Sequence, residues 1–313
     1  LFFMKFIFIF NPVAGRGGHE EILRQAIEAS NKKDNCEFYV TRNRGDATNY
    51  VRNWCVAHPD EPVQFIACGG DGTINEVING MVNAKNAILS VYPCGSGNDL
   101  VKTFGGASAF LDVDALLSAP TRKMDLFRIG DRYCGNVTNF GFDTTVAVTV
   151  NKDRDRKGYG SKRSYTKGIL KAFVSNMSTV CTVIADGEVL NPDGELLLCT
   201  IANGQYVGGS FRCAPRAKTD DGIMDVCLVK PVSRVRVPFL IGKYARGEHL
   251  DEPSMQDIIE YRRAKSVEVV GEPDFTYTLD GEIIRSPRFV VEMEPLALTI
   301  AVPEQLSAEA DAD

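Results

Sequence analysis

Long apolar runs are missing from this 313-residue sequence, and so is any excess of positive charge. No run approaches the ~20 apolar residues that a membrane-spanning helix needs, so any work on lipid would be done from the membrane surface. With a net charge of -6 and a pI near 5.3, the chain lacks the broad basic footprint that nucleic-acid binding usually requires, which leaves nucleic acid out of the expected partners. Histidine is scarce: His19, His58 and His249 lie far apart, and the nine cysteines contain no Cys-x-x-Cys pair. Neither a zinc site nor a disulfide framework is signalled, and a reducing cytoplasm is the expected location. The Walker pattern G-x-x-x-x-G-K-[ST] and the His-Arg-Asp set of protein kinases are absent. The dinucleotide fingerprint fails as well, because its candidates at Gly15 and Gly95 both lack the third glycine.

What is present is enough apolar residue, 44% of the chain, to bury a core, at a length that suggests two domains of about 150 residues each. The apolar opening, residues 1–10, has no basic n-region or cleavage site and runs into Asn11-Pro12, so it reads as a buried strand rather than a signal peptide. Strands are predicted at 5–10, 38–40, 63–67 and 87–92, alternating with helical patterns. Ile22, Leu23, Ala26 and Ile27 form one helical face, and Ile74, Val77, Ile78, Met81 and Val82 another. That alternation signals a parallel α/β sheet. From about Met124 the texture becomes β-rich, punctuated by Gly130-Asp131, Asp186-Gly187, Asp193-Gly194, Asp221-Gly222 and Asp280-Gly281. Asp-Gly is a strong hairpin signal, so an antiparallel β-sandwich is expected there, with one helix at 254–263 and a fraying tail from Glu304.

Three loops follow predicted strands of the α/β part: 11–18 (NPVAGRGG), 69–75 (GGDGTIN) and 93–99 (PCGSGND). The carboxyl ends of parallel strands converge on one crevice, where backbone N–H groups and helix N-termini receive phosphate oxygens. Asp71 places a carboxylate among groups meant for anions. A Mg²⁺ ion between them resolves the conflict, because a hard cation bridges carboxylate and phosphate oxygens.

NPVAG at 11–15, GGDGTINEV at 69–77 and PCGSGNDL at 93–100 resemble the catalytic-domain motifs of the diacylglycerol and sphingosine kinase superfamily, its bacterial diacylglycerol kinase branch most of all. LDGE at 279–282 matches that family's late motif, and APRAKTDDGIMDV at 214–226 resembles its metal-binding turn. The resemblance spans nearly the whole chain with the motifs in family order. It implies a Rossmann-like α/β nucleotide-binding domain at 1–124, rejoined by the chain's end at about 296–313. A β-sandwich at 125–295 would follow, with the active site in the cleft between them. Carried over position by position, Asn11, Pro12, Gly15, Thr41, Gly70, Asp71, Gly72, Thr73, Asn75, Ser96, Asn98 and Asp99 would surround ATP and Mg²⁺. Ser96 keeps the hydroxyl of the threonine often found there.

Glu282 would be the general base, since a lipid hydroxyl is a poor nucleophile until a positioned carboxylate accepts its proton. The reading without the resemblance is a hairpin turn with an exposed acid. By the same analogy Asp221, with the carbonyls of Lys218 and Ile223, would hold a structural Mg²⁺; the alternative is a metal-free Asp-Gly turn. Residues 151–171 are basic, with Lys152, Arg154, Arg156, Lys157, Lys162, Arg163, Lys167 and Lys171 against Asp153 and Asp155, and read either as a solvated face or as a dock for anionic headgroups. The expectation is thus a cytoplasmic, peripherally membrane-associated lipid kinase, with diacylglycerol as acceptor and room for a homodimer. A kinase of another lipid, a soluble-acceptor enzyme resembling NAD kinase, and a nucleotide-binding regulatory protein stand beside it.

Overall fold

The computed structural model describes residues 4–304 apart from 16, 158–161 and 175–176, with the backbone alone at 143, 153–157 and 162–166. The chain divides into two compact units, one formed by the stretch up to Lys123 together with that from Leu298 onward, the other by Met124–Ala297.

In the first unit, strands and helices alternate: β1 (Lys5–Phe10), α1 (His19–Ala29), β2 (Cys36–Val40), α2 (Asp46–Ala57), β3 (Val63–Gly69), α3 (Asp71–Met81), β4 (Ala87–Pro93), α4 (Asp99–Thr103) and α5 (Val113–Leu117). The strands pair in parallel in the order β2, β1, β3, β4. β3 is buried at every residue, and β1 and β4 at all but one each. Such uniformly apolar strands suit a sheet covered on both faces. Phe8, Ile7, Ile9, Phe65, Ile66 and Leu89 are its core, fully buried.

The second unit runs β5 (Thr121–Ile129), which begins three residues earlier in the first, then β6 (Arg132–Cys134), β7 (Val137–Gly141), α6 (Phe142–Lys157), α7 (Lys162–Val174), β8 (Thr179–Ala185), β9 (Glu188–Val189), β10 (Glu195–Leu196), β11 (Leu198–Ala202), β12 (Met224–Val229), α8 (Val237–Arg246), β13 (Ile259–Ala264), β14 (Ser266–Gly271), β15 (Thr276–Leu279), β16 (Glu282–Arg285) and β17 (Arg288–Ala301). One antiparallel sheet has the order β13, β12, β11, β7, β15, β16; in the other, β10, β8, β14 and β17 are neighbours, with β9 on β8 and β5 linking β17 to β6. An apolar layer containing Phe127, Phe140, Val183, Ile201, Val226 and Val267 draws on strands of both sheets, which makes the β-sandwich. The last residues of β17 return to the first unit, where Ile300 lies opposite Leu89 in a parallel pairing with β4.

The helix expected at 254–263 does not form. Pro253–Met255 is a single 3-10 turn and Ile259–Ala264 is strand β13, laddered to β12 from Ile259↔Val229 to Ala264↔Met224. The pairing edge of β12 decides the backbone there, overriding local propensity. The helices of this unit are α6, α7 and α8 instead. They cover the face of the six-stranded sheet turned away from the sandwich, where Val137, Leu198, Ala202, Cys227 and Val229 meet Phe142, Val146, Ala172, Val237 and Leu240. Of the basic stretch 151–171, the side chains at 153–166 fall outside the described residues; Lys152, Lys167 and Lys171 are exposed. Among the described residues no helix is long and apolar enough to cross a membrane. All nine cysteines are free thiols.

Candidate active site

Because β1, β3 and β4 are adjacent, the loops that leave their carboxyl ends lie side by side. Asn11 donates through Nδ2 to Thr73 Oγ1 at 3.1 Å, which links the first loop to the second, and its Oδ1 accepts from Val13 N–H at 3.2 Å. Cys94 and Gly95 donate their N–H groups to the Gly69 carbonyl at 2.9 and 3.1 Å, which links the third loop to the second. A Cβ at Gly95 would come within 2.4 Å of Gly70 Cα, and one at Gly97 within 2.4 Å of Asp71 Oδ2. These two glycines therefore serve the packing of loop on loop, a closeness no side chain permits. Gly72 differs: it is exposed, with nothing within 4 Å of its Cβ position, in the first turn of α3.

Asp71 is engaged in a way its sequence context does not announce. Its Oδ2 accepts from Asn98 N–H at 2.9 Å and its Oδ1 from Asp99 N–H at 2.6 Å. It caps the start of α4 from another loop, so the positive end of α4, expected to face phosphate, is occupied by protein. The N-terminus of α3, an eleven-residue helix beginning after Gly70, has no side-chain cap and keeps the anion-binding character. Beside Asp71 the buried Asn98 Oδ1 accepts no hydrogen bond, while Asn98 Nδ2 donates to the Gly95 carbonyl at 2.8 Å. Oxygen acceptors of this kind fit a hard divalent cation.

The other expected nucleotide contacts gather around the same loops. Ser96 is exposed at the tip of the third, Pro12 is exposed in the first, and Gly15 lies under the Cys94 carbonyl. Thr41 is held against the end of β1 by its N–H to the Phe10 carbonyl at 2.8 Å. Asn75 is buried on α3, where its carbonyl accepts from Asn79 Nδ2 at 2.9 Å. Asp99 Oδ1 pairs with Lys102 Nζ at 2.9 Å, and the same ammonium donates to the Gly97 carbonyl at 2.7 Å. Burial pushes the Cys68 thiol up and that of Cys94 to about 12, so neither offers a thiolate here.

Two carboxylates were missed on sequence. Glu76 receives Gly45 N–H at 2.9 Å and Ala47 N–H at 3.2 Å, fixing the start of α2 and the end of the loop that begins at Thr41. A Glu in the middle of a helix carries no cap signature, so only the fold reveals this. Asp125, fully buried in the second unit, accepts from Gly222 N–H at 2.6 Å and Leu296 N–H at 2.7 Å. A charged residue in the apolar run of β5 was the available signal.

In the second unit Asp280 and Gly281, with φ of 46° and 82°, form the two-residue turn joining β15 to β16, and Glu282 stands opposite Leu279. The left-handed φ at both positions is the reason for Asp-Gly. Asp280 Oδ1 accepts from Val137 N–H at 3.1 Å and from the Cys134 thiol at 3.0 Å, and its own N–H donates to the Val137 carbonyl at 3.0 Å. The turn is thereby clamped to the β6–β7 link. The Glu282 side chain is only 16% exposed and lies 3.2 Å from Arg132 Nη2. Asp221, the expected metal ligand, accepts from Ile223 N–H at 3.3 Å and pairs with the Arg263 guanidinium. No cluster of three acidic, histidine or cysteine side chains lies near it or elsewhere among the described residues. The turn from Lys218 to Ile223 is braced by that ion pair and by Asp125, and a cation on Asp221 with the Lys218 and Ile223 carbonyls would have to compete with the Arg263 guanidinium.

Residues 5–129 match the family described as the diacylglycerol kinase catalytic domain, and residues 136–302 the YegS C-terminal NAD kinase beta sandwich-like domain. Over 273 residues the chain is 30% identical to a Chromohalobacter salexigens protein named "Probable lipid kinase YegS-like", covering 85% of this chain and 83% of that one. It is 28% identical over 278 residues to the diacylglycerol kinase of Bacillus subtilis, covering 88% of each. The fold is that of a solved diacylglycerol kinase structure from Bacillus anthracis, with a TM-score of 0.74, 23% identity, and coverage of 96% of this chain and 97% of that one.

Proposed function

Because the chain belongs to the diacylglycerol kinase-like lipid kinase family, phosphotransferases with an alcohol acceptor, we propose that it transfers the γ-phosphate of ATP to the free hydroxyl of diacylglycerol, giving phosphatidic acid. The observation that carries the donor half is the interlocked set of three loops with an uncapped α3 at its centre. The phosphates rest on the N–H groups at Gly70 and Gly72, with the Asn11 amide and the Thr73 and Ser96 hydroxyls around them. Mg²⁺, held by Asp71 and Asn98, would draw charge from the β- and γ-phosphate oxygens.

Glu282 accepts the proton of the acceptor hydroxyl as the oxygen attacks phosphorus. Its strand is pinned through Asp280, and Arg132 holds the carboxylate from one side, so little side-chain freedom has to be lost when substrate arrives. The acceptor's identity rests on the relatives' names. Incubation with radiolabelled ATP, Mg²⁺ and a panel of micellar diacylglycerol, sphingoid base, ceramide and phosphatidylglycerol, with NAD in a parallel tube, tests it. Labelled phosphatidic acid is the expected product. NADP formed without lipid phosphorylation would sink the proposal, and a different labelled lipid would replace the acceptor.

A further inference from the structure

Two stretches of the second unit carry cations and no acid at all. Residues 230–246 (KPVSRVRVPFLIGKYAR) contain Lys230, Arg234, Arg236, Lys243 and Arg246, and residues 162–174 contain Lys162, Arg163, Lys167 and Lys171, in a chain of net charge -6. The fold brings them together. Arg234 donates through Nη2 to the Val174 carbonyl at 3.4 Å, and Ile169 and Phe173 of α7 pack on the same apolar cluster as Val237 and Leu240 of α8.

Their other sides face solvent. Among the described side chains of α7, Lys167, Leu170, Lys171 and Val174 are exposed, spaced i, i+3, i+4 and i+7, which places them in one stripe. Val235, in the 3-10 turn that leads into α8, and Phe239, on the first turn of α8, are 86% and 51% exposed, and on α7 Leu170 is 63% and Val174 68% exposed. Lys243 Nζ lies 5.8 Å from the Phe239 ring. Acids from other segments approach: Glu248 pairs with both Lys243 and Arg246, Glu252 pairs with Lys243, and Asp257 lies 3.7 Å from Arg236. Scattered exposed aliphatics are ordinary. Four large ones on two segments of one apolar cluster, tied by the Arg234–Val174 hydrogen bond and interspersed with cations, are of the kind that marks a binding surface.

We propose that this surface docks the protein on an anionic phospholipid bilayer, with Leu170, Val174, Val235 and Phe239 entering the headgroup layer and the lysines and arginines lying on its phosphates. Apolar tips inside a basic rim match a bilayer in both respects, since the interface is apolar beneath and negative above. A second copy of the chain matches poorly, because a two-fold contact would set the same basic rim against itself. The choice of lipid over another polyanion rests on the lipid-kinase reading.

The test uses the whole chain in co-sedimentation with pure phosphatidylcholine vesicles and with equimolar phosphatidylcholine–phosphatidylglycerol vesicles. The wild type should pellet with the second and hardly with the first. Arg234→Glu should weaken binding to the anionic vesicles about fivefold or more, and Val235→Ser with Phe239→Ser about tenfold. These side chains are exposed, so melting temperatures should stay put, and rates on a short-chain diacylglycerol dissolved below its micelle concentration should match wild type. Equal pelleting with both vesicle types, or variants that bind like wild type, would overturn the proposal, as would variants that bind like wild type yet lose a concentration-dependent self-association. A wild type that binds anionic vesicles but phosphorylates no dissolved diacylglycerol would leave the dock standing and remove the acceptor assignment.

Discussion

At the scale of single residues, carboxylates do two kinds of work in this protein. Asp71 holds two backbone amides of the third loop. Asp71→Asn replaces one acceptor oxygen with a donor facing a backbone N–H, so we expect a loss of about 1 kcal/mol in urea denaturation together with loss of ATP binding in titration calorimetry. Intact nucleotide affinity in that variant would separate the loop from the phosphates. Glu282 is paired with the Arg132 guanidinium at 3.2 Å, an ion pair whose arginine side is half exposed. Glu282→Gln should lower kcat by roughly a hundredfold to ten-thousandfold while the melting temperature stays within a degree or so of wild type. A wild-type rate would end its role as base.

At the scale of elements, loops and helices are fixed by contacts that leave little slack. Gly95→Ala would press a methyl group onto Gly70 Cα, backbone against backbone, and should cost about 2 kcal/mol of unfolding free energy as well as nucleotide affinity. Behind α8, Tyr244 shares a 2.6 Å hydrogen bond with Thr200 on β11 and packs at 4.6 Å against the buried ring of His249. Burial pushes that imidazole down from 6.5 to about 4. Below about pH 6.5 the unfolded chain binds a proton that the folded chain refuses until about pH 4, so this contribution is present above the window and is lost as pH falls through it. The difference in unfolding free energy between wild type and His249→Phe should shift against wild type by about 2 kcal/mol from about pH 7 to about pH 5. Parallel pH profiles for the two proteins would show that His249 is not responsible.

The elements also show what local pattern could reveal. β1 is Lys5–Phe10 as expected, β3 and β4 run one or two residues past their predicted ends, and α3 starts three residues before Ile74 and stops at Met81, one short of Val82. Their apolar runs and helical spacing are local signals that parallel packing only reinforces. The Asp-Gly turns at Asp186 and Asp280 take the left-handed geometry their sequence demands. α6, α7 and α8 escaped notice because α6 does not segregate its apolar residues on one face and α8 carries Pro238 and Gly242. A signal lay elsewhere: β11 and β12 are buried at every residue, without the alternation of a one-sided antiparallel strand, and so require cover on both faces.

For the molecule as a whole, β17 is the element that both units need. Its first ten residues belong to the second unit, while Leu298, Ile300 and Ala301 are buried in the first. Ending the chain after Ala297 should remove about 4 kcal/mol of apolar burial from the α/β unit and bare the edge of β4. The expected result is a lower thermal midpoint and nucleotide binding lost together, and a truncated chain that melts like wild type would show that the returning strand is dispensable.

The sequence by itself determined the chemistry on offer and the order of its parts: three glycine-rich loops after apolar strands, an acid in each of the last two, a hairpin ending in Glu282, and the succession of α/β and β-sandwich units. These depend on residue type and near-neighbour spacing, which a single chain carries openly. Only the tertiary structure decided what each group faces. It gave Asp71 to the start of α4 and Asp221 to Arg263, turned residues 259–264 into a strand along β12, and tied the end of α7 at Val174 to Arg234. Such choices depend on partners tens of residues away, whose competing hydrogen bonds and apolar surfaces settle the outcome where local preference is weak.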